Sequence, residues 1–264
     1  MIDVHRTDPE EFLAPGLATA CDHWLKKDFG ALIDAESSGT RAVWATVSPP
    51  HHRADAVCAE VRVLFQIPTE HLLSLRAFRD TFEGSFETPD GQVLWCAHEV
   101  QKGIRLALRQ SHMMLEMLGG HPLLNDAGQL VELLRGGVTA QSVSTYREMS
   151  RGLFRRAIEG DEQSRWPALR HALTGLRLAS ERHLTLDGVA LVDWSRAAHG
   201  ELPHGFEEQT KALLDAMAEA LTKTELPDKP DTYDDLSRWL VEMRLDCPSA
   251  QGVNADNFQG DSGQ

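Results

Sequence analysis

No apolar run in this chain approaches the roughly 20 residues that a membrane-spanning helix needs. The opening residues, Met1-Ile2-Asp3-Val4-His5, lack the basic-then-apolar layout of a secretion leader. Together these absences predict a cytoplasmic protein with no membrane partner. The four cysteines, Cys21, Cys58, Cys96 and Cys247, include no CxxC pair. That spacing argues against a structural zinc site, and a reducing compartment argues against structural disulfides. Long runs of Lys or Arg are also missing, and the formal net charge is −14. A protein that coats a nucleic-acid backbone usually needs a basic face, so extended DNA or RNA binding is disfavoured.

What is present is ordinary globular material. The chain has 264 residues, 42% of them apolar and 25% charged. That is enough to bury one large core or two small ones. Residues 9 to 27 carry Leu13, Leu17, Cys21, Trp24 and Leu25 at helical spacing. Gly30 to Ala35 reads as a short buried strand, and residues 45 to 54, with Pro49-Pro50-His51-His52, as a loop. From Val57 to Phe65 apolar side chains alternate, which predicts a strand with Cys58, Glu60 and Arg62 on one face. Pro68 to Leu75 predicts a short helix, Phe82 to Thr88 and Val93 to Ala97 two strands, and the stretch through Leu108 a helix.

Beyond residue 112 the segments are amphipathic helices, at 112–118, 126–135, 140–158, 166–183, 205–222 and 232–244, with Asp126 and Thr139 as N-cap residues. The expected fold class is α+β. A mixed β-sheet flanked by helices spans 1–110, a helical bundle spans 111–245, and 246–264 is a disordered acidic tail.

One passage points to a chemistry. Ala35-Glu36-Ser37-Ser38-Gly39-Thr40-Arg41-Ala42 is a small-residue turn between two expected strands. Glycine lets a backbone approach phosphate, and a hydroxyl with adjacent N–H groups donates to it. Glu60 follows on the next strand, two residues from Cys58. Glu99 and Lys102 stand one helical turn apart at a strand-to-helix junction, where the bland reading is a surface ion pair. His171 lies beside Arg170, and a packed histidine is its simplest reading. His51, His52 and His112 show no metal-ligand pattern, and Met113, Met114 and Met117 follow core spacing.

Several segments, taken in order, carry a resemblance. They are Glu36-Ser37-Ser38-Gly39-Thr40-Arg41-Ala42-Val43-Trp44, Glu60 to Pro68, Glu70 to Leu75, His98 to Lys102, Met114 to Leu118, Leu169 to Leu173 and Leu226 to Asp231. This order resembles the YcgL-type predicted nucleotidyltransferases of the polymerase-β-like superfamily. The resemblance implies a nucleotidyltransferase-like sheet domain followed by a helical substrate- or partner-binding domain. It also implies transfer of a nucleoside monophosphate from an NTP to a hydroxyl of a small-molecule or protein acceptor, with Mg²⁺ or Mn²⁺.

The family's metal strand carries two aspartates two residues apart, and here those positions hold Cys58 and Glu60. By the resemblance, Glu60 and Glu99 are the metal-binding and catalytic acids. Gly39, Thr40, Arg41, Lys102 and His171 bind the nucleotide. Since a thiol is a poor magnesium ligand, a second reading stands beside the first: a catalytically inactive protein of the same fold that binds a nucleotide or a protein partner.

Overall fold

A computed structural model describes residues 2–5, 16–36, 39–48, 58–73, 77–186 and 205–245, with the side chains of 34–36 and Cys58 left out. The expected loop residues Pro49 to Ala54 and the expected tail at 246–264 lie outside the described residues. So do Ser37 and Ser38.

The centre is a five-stranded sheet. Its strands are β2 (Arg41–Ser48), β3 (Cys58–Gln66), β4 (Thr81–Thr88), β5 (Gly91–Glu99) and β6 (His121–Asn125), in the order β4-β5-β3-β2-β6. β3 and β5 run parallel and every other neighbour is antiparallel. A separate two-stranded parallel ladder joins β1 (Asp3–His5) to β7 (His183–Thr185).

The period-two pattern of β3 sorts its side chains as the sequence requires. Val61, Val63 and Phe65 enter one apolar cluster with Leu17, Cys21, Trp24, Phe29 and Ile33. Leu64 enters the other, with Met114, Leu130, Tyr146, Met217 and Trp239. The sheet is thus covered on both faces, as a mixed sheet with crossover helices should be.

The first face is covered by α1 (Leu17–Trp24), a π-helical turn at Leu25–Phe29 and α2 (Gly30–Glu36). The strand expected at Gly30 to Ala35 is therefore helix. Leu17, Cys21, Leu25, Phe29 and Ile33 recur every four residues and all are buried. A regular 3.6-residue helix would rotate such a series off its face, and the wider π turn restores the alignment. Ala45 to Ser48, expected in a loop, extend β2 instead.

Helix α3 (Thr69–Leu73) follows β3, and α4 (Val100–Leu108) follows β5. α5 (His112–Gly119), α6 (Gly128–Gly136), α7 (Ala140–Ile158), α8 (Arg165–Glu181), α9 (Phe206–Lys223) and α10 (Tyr233–Leu245) lie close to their expected positions. Thr139 caps α7 with a capping box completed by Ser142. β6 lies beyond residue 110, yet it forms the edge of the sheet. The second apolar cluster likewise runs from β2 and β3 through to α9 and α10. Among the described residues no helix is long and apolar enough to cross a membrane.

Candidate functional site

The register of the sheet fixes where each candidate residue stands. Ser48 pairs with Glu60 at one end of β2, and Arg41 pairs with Gln66 at the other. Thr40 and Gly39, just before Arg41, are therefore about 20 Å from Glu60 along the strands, at roughly 3.3 Å per residue. Glu60 pairs with Leu94 on β5, five residues before Glu99, a separation of about 16 Å along the strand. The expected pair of acids does not converge. Glu60 and Glu99 cannot share one metal ion in this arrangement, and neither Cys58 nor Glu60 borders the Gly39 turn.

Glu60 has a different partner. Its carboxylate accepts from Arg62 two residues on, and Arg62 also donates to Ser48 Oγ; all three are buried. Glu60 and Arg62 share a face, as alternation predicts, and pair with each other. Beside them lies a hollow of about 310 Å³ lined by Glu60, Arg62, Leu94, Trp95, Cys96 and Met113. Burial raises the Cys96 thiol above its usual range, so it is a poor nucleophile. Cys58 opens β3, but its side chain lies outside the described residues.

At the opposite end of the sheet stand the other candidates. Gly39 has φ 84°, a left-handed conformation that favours glycine, and a Cβ there would meet Pro68 at 3.3 Å. Thr40 is buried, and its Oγ1 has no hydrogen-bond partner among the described residues. Arg41 is exposed and reaches Gln66 Oε1 at 3.3 Å.

Glu99 is buried and caps α4, accepting from the Gln101 N–H at 2.7 Å. Its other oxygen takes Arg244 from α10, and Arg244 also donates to the Ile67 carbonyl at 2.8 Å. The Glu99 carboxylate is thus committed to structure. Lys102 is held by Asp80 at 2.9 Å and by Thr81 at 2.5 Å. The Glu99–Lys102 ion pair of the bland reading does not form among the described residues. The Lys102 hydrogen bond holds the Asp80 carboxyl below its usual range.

His171 lies off the sheet. It is fully buried on α8, in a cluster with His112 and Glu116 of α5, Tyr146 of α7 and its neighbour Arg170. Arg170 Nη1 donates to Glu116 Oε2 at 2.8 Å with both side chains inaccessible. Burial alone would raise the Glu116 carboxyl, but Arg170 and the imidazoles outweigh it and hold the group well below the usual carboxylate range. Burial, reinforced by that carboxylate, pushes the Tyr146 phenol well above its usual value. Sequence reasoning set His112 aside. The signal was its i, i+4 spacing to Glu116 on one helix, which puts both on the same face.

No protein-family model matches this chain, and no curated protein matches it. Among solved structures the chain is similar to a nucleotidyltransferase-like protein from Exiguobacterium sibiricum 255-15. The identity is 11%, over 84% of this chain and 79% of that one, and the TM-score is 0.32. At that TM-score the likeness carries no argument about fold or chemistry, and the YcgL-type resemblance finds no support in it.

Proposed function

We propose that this chain is a nucleotide-binding protein of the nucleotidyltransferase-like class, which holds an NTP by its phosphates at the Gly39–Arg41 turn and does not transfer the nucleotide. The observation that carries this reading is the Thr40 hydroxyl, buried and without a partner among the described residues, beside a left-handed glycine. A buried donor left unpaired costs about 1–3 kcal/mol, so a ligand oxygen that accepts from it recovers that cost on binding. The exposed Arg41 guanidinium next to it supplies charge and donors suited to phosphate. Magnesium enters this reading as the triphosphate's own counter-ion, which also reconciles the ligand with a chain of charge −14.

The binding reading is preferred to the transferase reading because nucleotidyl transfer needs carboxylates that converge on metal beside the phosphates. Here Glu60 is tied to Arg62 at the far end of the sheet, and Glu99 is tied to Arg244 and the α4 N-terminus.

A thermal-shift series with ATP, GTP, CTP and UTP, each with and without Mg²⁺, tests the proposal. At 100 times its dissociation constant a ligand stabilises the folded state by about 2.7 kcal/mol. One NTP is expected to raise Tm in wild type and to fail in Thr40→Val and Arg41→Ala, with no pyrophosphate released. Absence of a shift with every nucleotide overturns the binding claim. Metal-dependent pyrophosphate release that Glu60→Ala abolishes restores the transferase reading.

A further inference from the structure

We propose that His112, Glu116 and His171 form a site for one divalent transition-metal ion, independent of the nucleotide site. Their three ligand atoms lie within 4.8 Å of one another. Two come from a single turn of α5 and the third from α8, so the site clamps two helices that are far apart in sequence. Glu116 Oε1 is 3.3 Å from His112 Nε2 and 3.9 Å from His171 Nδ1. A tetrahedral ion bonded at about 2.1 Å to each ligand sets them roughly 3.4 Å apart, so the His112–Glu116 spacing already fits and the wider ones, none above 4.8 Å, close in when the ion binds.

The rest of the cluster fixes this geometry. Arg170 holds Glu116 Oε2 at 2.8 Å, which leaves Oε1 turned toward the imidazoles. Tyr146 Oη sits 3.4 Å from Oε1 and walls the site from α7. The His112 and His171 rings meet edge to face with centroids 4.6 Å apart.

The donor set selects the ion. Two imidazole nitrogens and one carboxylate oxygen suit Zn²⁺, Co²⁺ or Ni²⁺, whereas Mg²⁺ and Ca²⁺ require oxygen-rich sites. The Arg170 charge opposes any cation, so affinity must come from the nitrogen ligands rather than from net charge. That again disfavours Mg²⁺. A resident ion would join α5, which packs on the sheet, to α8 of the bundle. Its role would be to hold the two layers together.

Cobalt(II) absorbance tests the site. Chelator-treated full-length protein, titrated with Co²⁺, is expected to develop visible d–d bands that saturate near one equivalent. Zn²⁺ should abolish the bands and a large excess of Mg²⁺ should leave them intact. His112→Gln and His171→Gln are each expected to weaken Co²⁺ binding at least about tenfold, while His183→Gln, outside the cluster, binds as wild type. Circular dichroism checks that each variant is folded. His112 is less deeply buried than His171, so His112→Gln serves as the decisive variant if His171→Gln does not fold. A folded wild type that shows no cobalt bands, or a folded His112→Gln that binds Co²⁺ as tightly as wild type, overturns the proposal. Neither result bears on nucleotide binding at Thr40.

Discussion

Arg170 Nη1 meets Glu116 Oε2 at 2.8 Å, and neither side chain has measurable exposure. Breaking such a pair from one side leaves a charge buried without compensation, which costs about 3–5 kcal/mol. Arg170→Met is therefore expected to lower Tm by on the order of 10 °C for a chain of this size. Adding Glu116→Leu removes the stranded carboxylate and should recover much of the loss. Calorimetric unfolding of the single and double variants measures both effects. A double variant no more stable than the single one contradicts the electrostatic account.

Arg244 ties the last helical turn of α10 to the sheet through Glu99 and the Ile67 carbonyl. Thr69 Oγ1 and Gln66 Nε2 add bonds to the carbonyls of Arg244 and Met243. Hydrogen bonds to charged groups contribute about 1.5–3 kcal/mol each. Arg244→Ala should therefore release α10 before the rest of the fold. Hydrogen exchange is expected to speed up across 233–245 while the sheet amides stay protected. Uniform exchange across the chain would show that Arg244 is no local anchor.

Burial pushes the Cys21 thiol up to about 12, so it stays protonated and inaccessible at neutral pH. Alkylation of the native protein at pH 8 is expected to spare Cys21, and labelling should appear only after denaturant is added. Peptide mass spectrometry reads the outcome. Rapid native labelling of Cys21 would contradict the packing of α1 against the sheet.

Burial, helped by Lys102, holds the His98 imidazole below its ordinary 6.5; Asp80 and Glu83 oppose this with smaller effect. The unfolded chain then binds a proton that the folded chain refuses. Stability contributed by neutral His98 is complete above about pH 6.5 and declines as pH falls below it. In His98→Gln the slope of Tm against pH between 6.5 and 5 is expected to flatten. An unchanged slope would mean that His98 protonates equally well in the fold.

Much of the architecture was legible in the sequence. Alternation along Val57 to Phe65 located β3, because each apolar residue faces a buried layer. Thr139 announced α7 through its cap. Gly30 to Ala35 misled because Ala31-Leu32-Ile33 looks like a short buried strand, whereas the four-residue series from Leu17 continues into Ile33 through a π turn. β6 was hidden because His121-Pro122-Leu123-Leu124-Asn125 contains a proline. An edge strand tolerates one, and the register against β2 shifts just there, between Ala45 and Thr46.

The candidate site was less legible because it depends on pairing between strands. Local spacing put Glu60 and Arg62 on one face, and it could not tell that they bind each other or that Glu99 stands five residues further along β5. Nor could it bring Glu116 to Arg170, 54 residues away.

In the proposed function, nucleotide binds at the Thr40 end of the sheet and not at the Glu60 end. Isothermal titration of the NTP selected by thermal shift, with Mg²⁺, into wild type, Thr40→Val and Glu60→Gln tests it most directly. Thr40→Val is expected to weaken binding at least about tenfold while raising unliganded stability by about 1 kcal/mol, since it removes a buried hydroxyl that has no partner among the described residues. Glu60→Gln is expected to bind as wild type. Binding that survives in Thr40→Val and disappears in a folded Glu60→Gln would contradict the account.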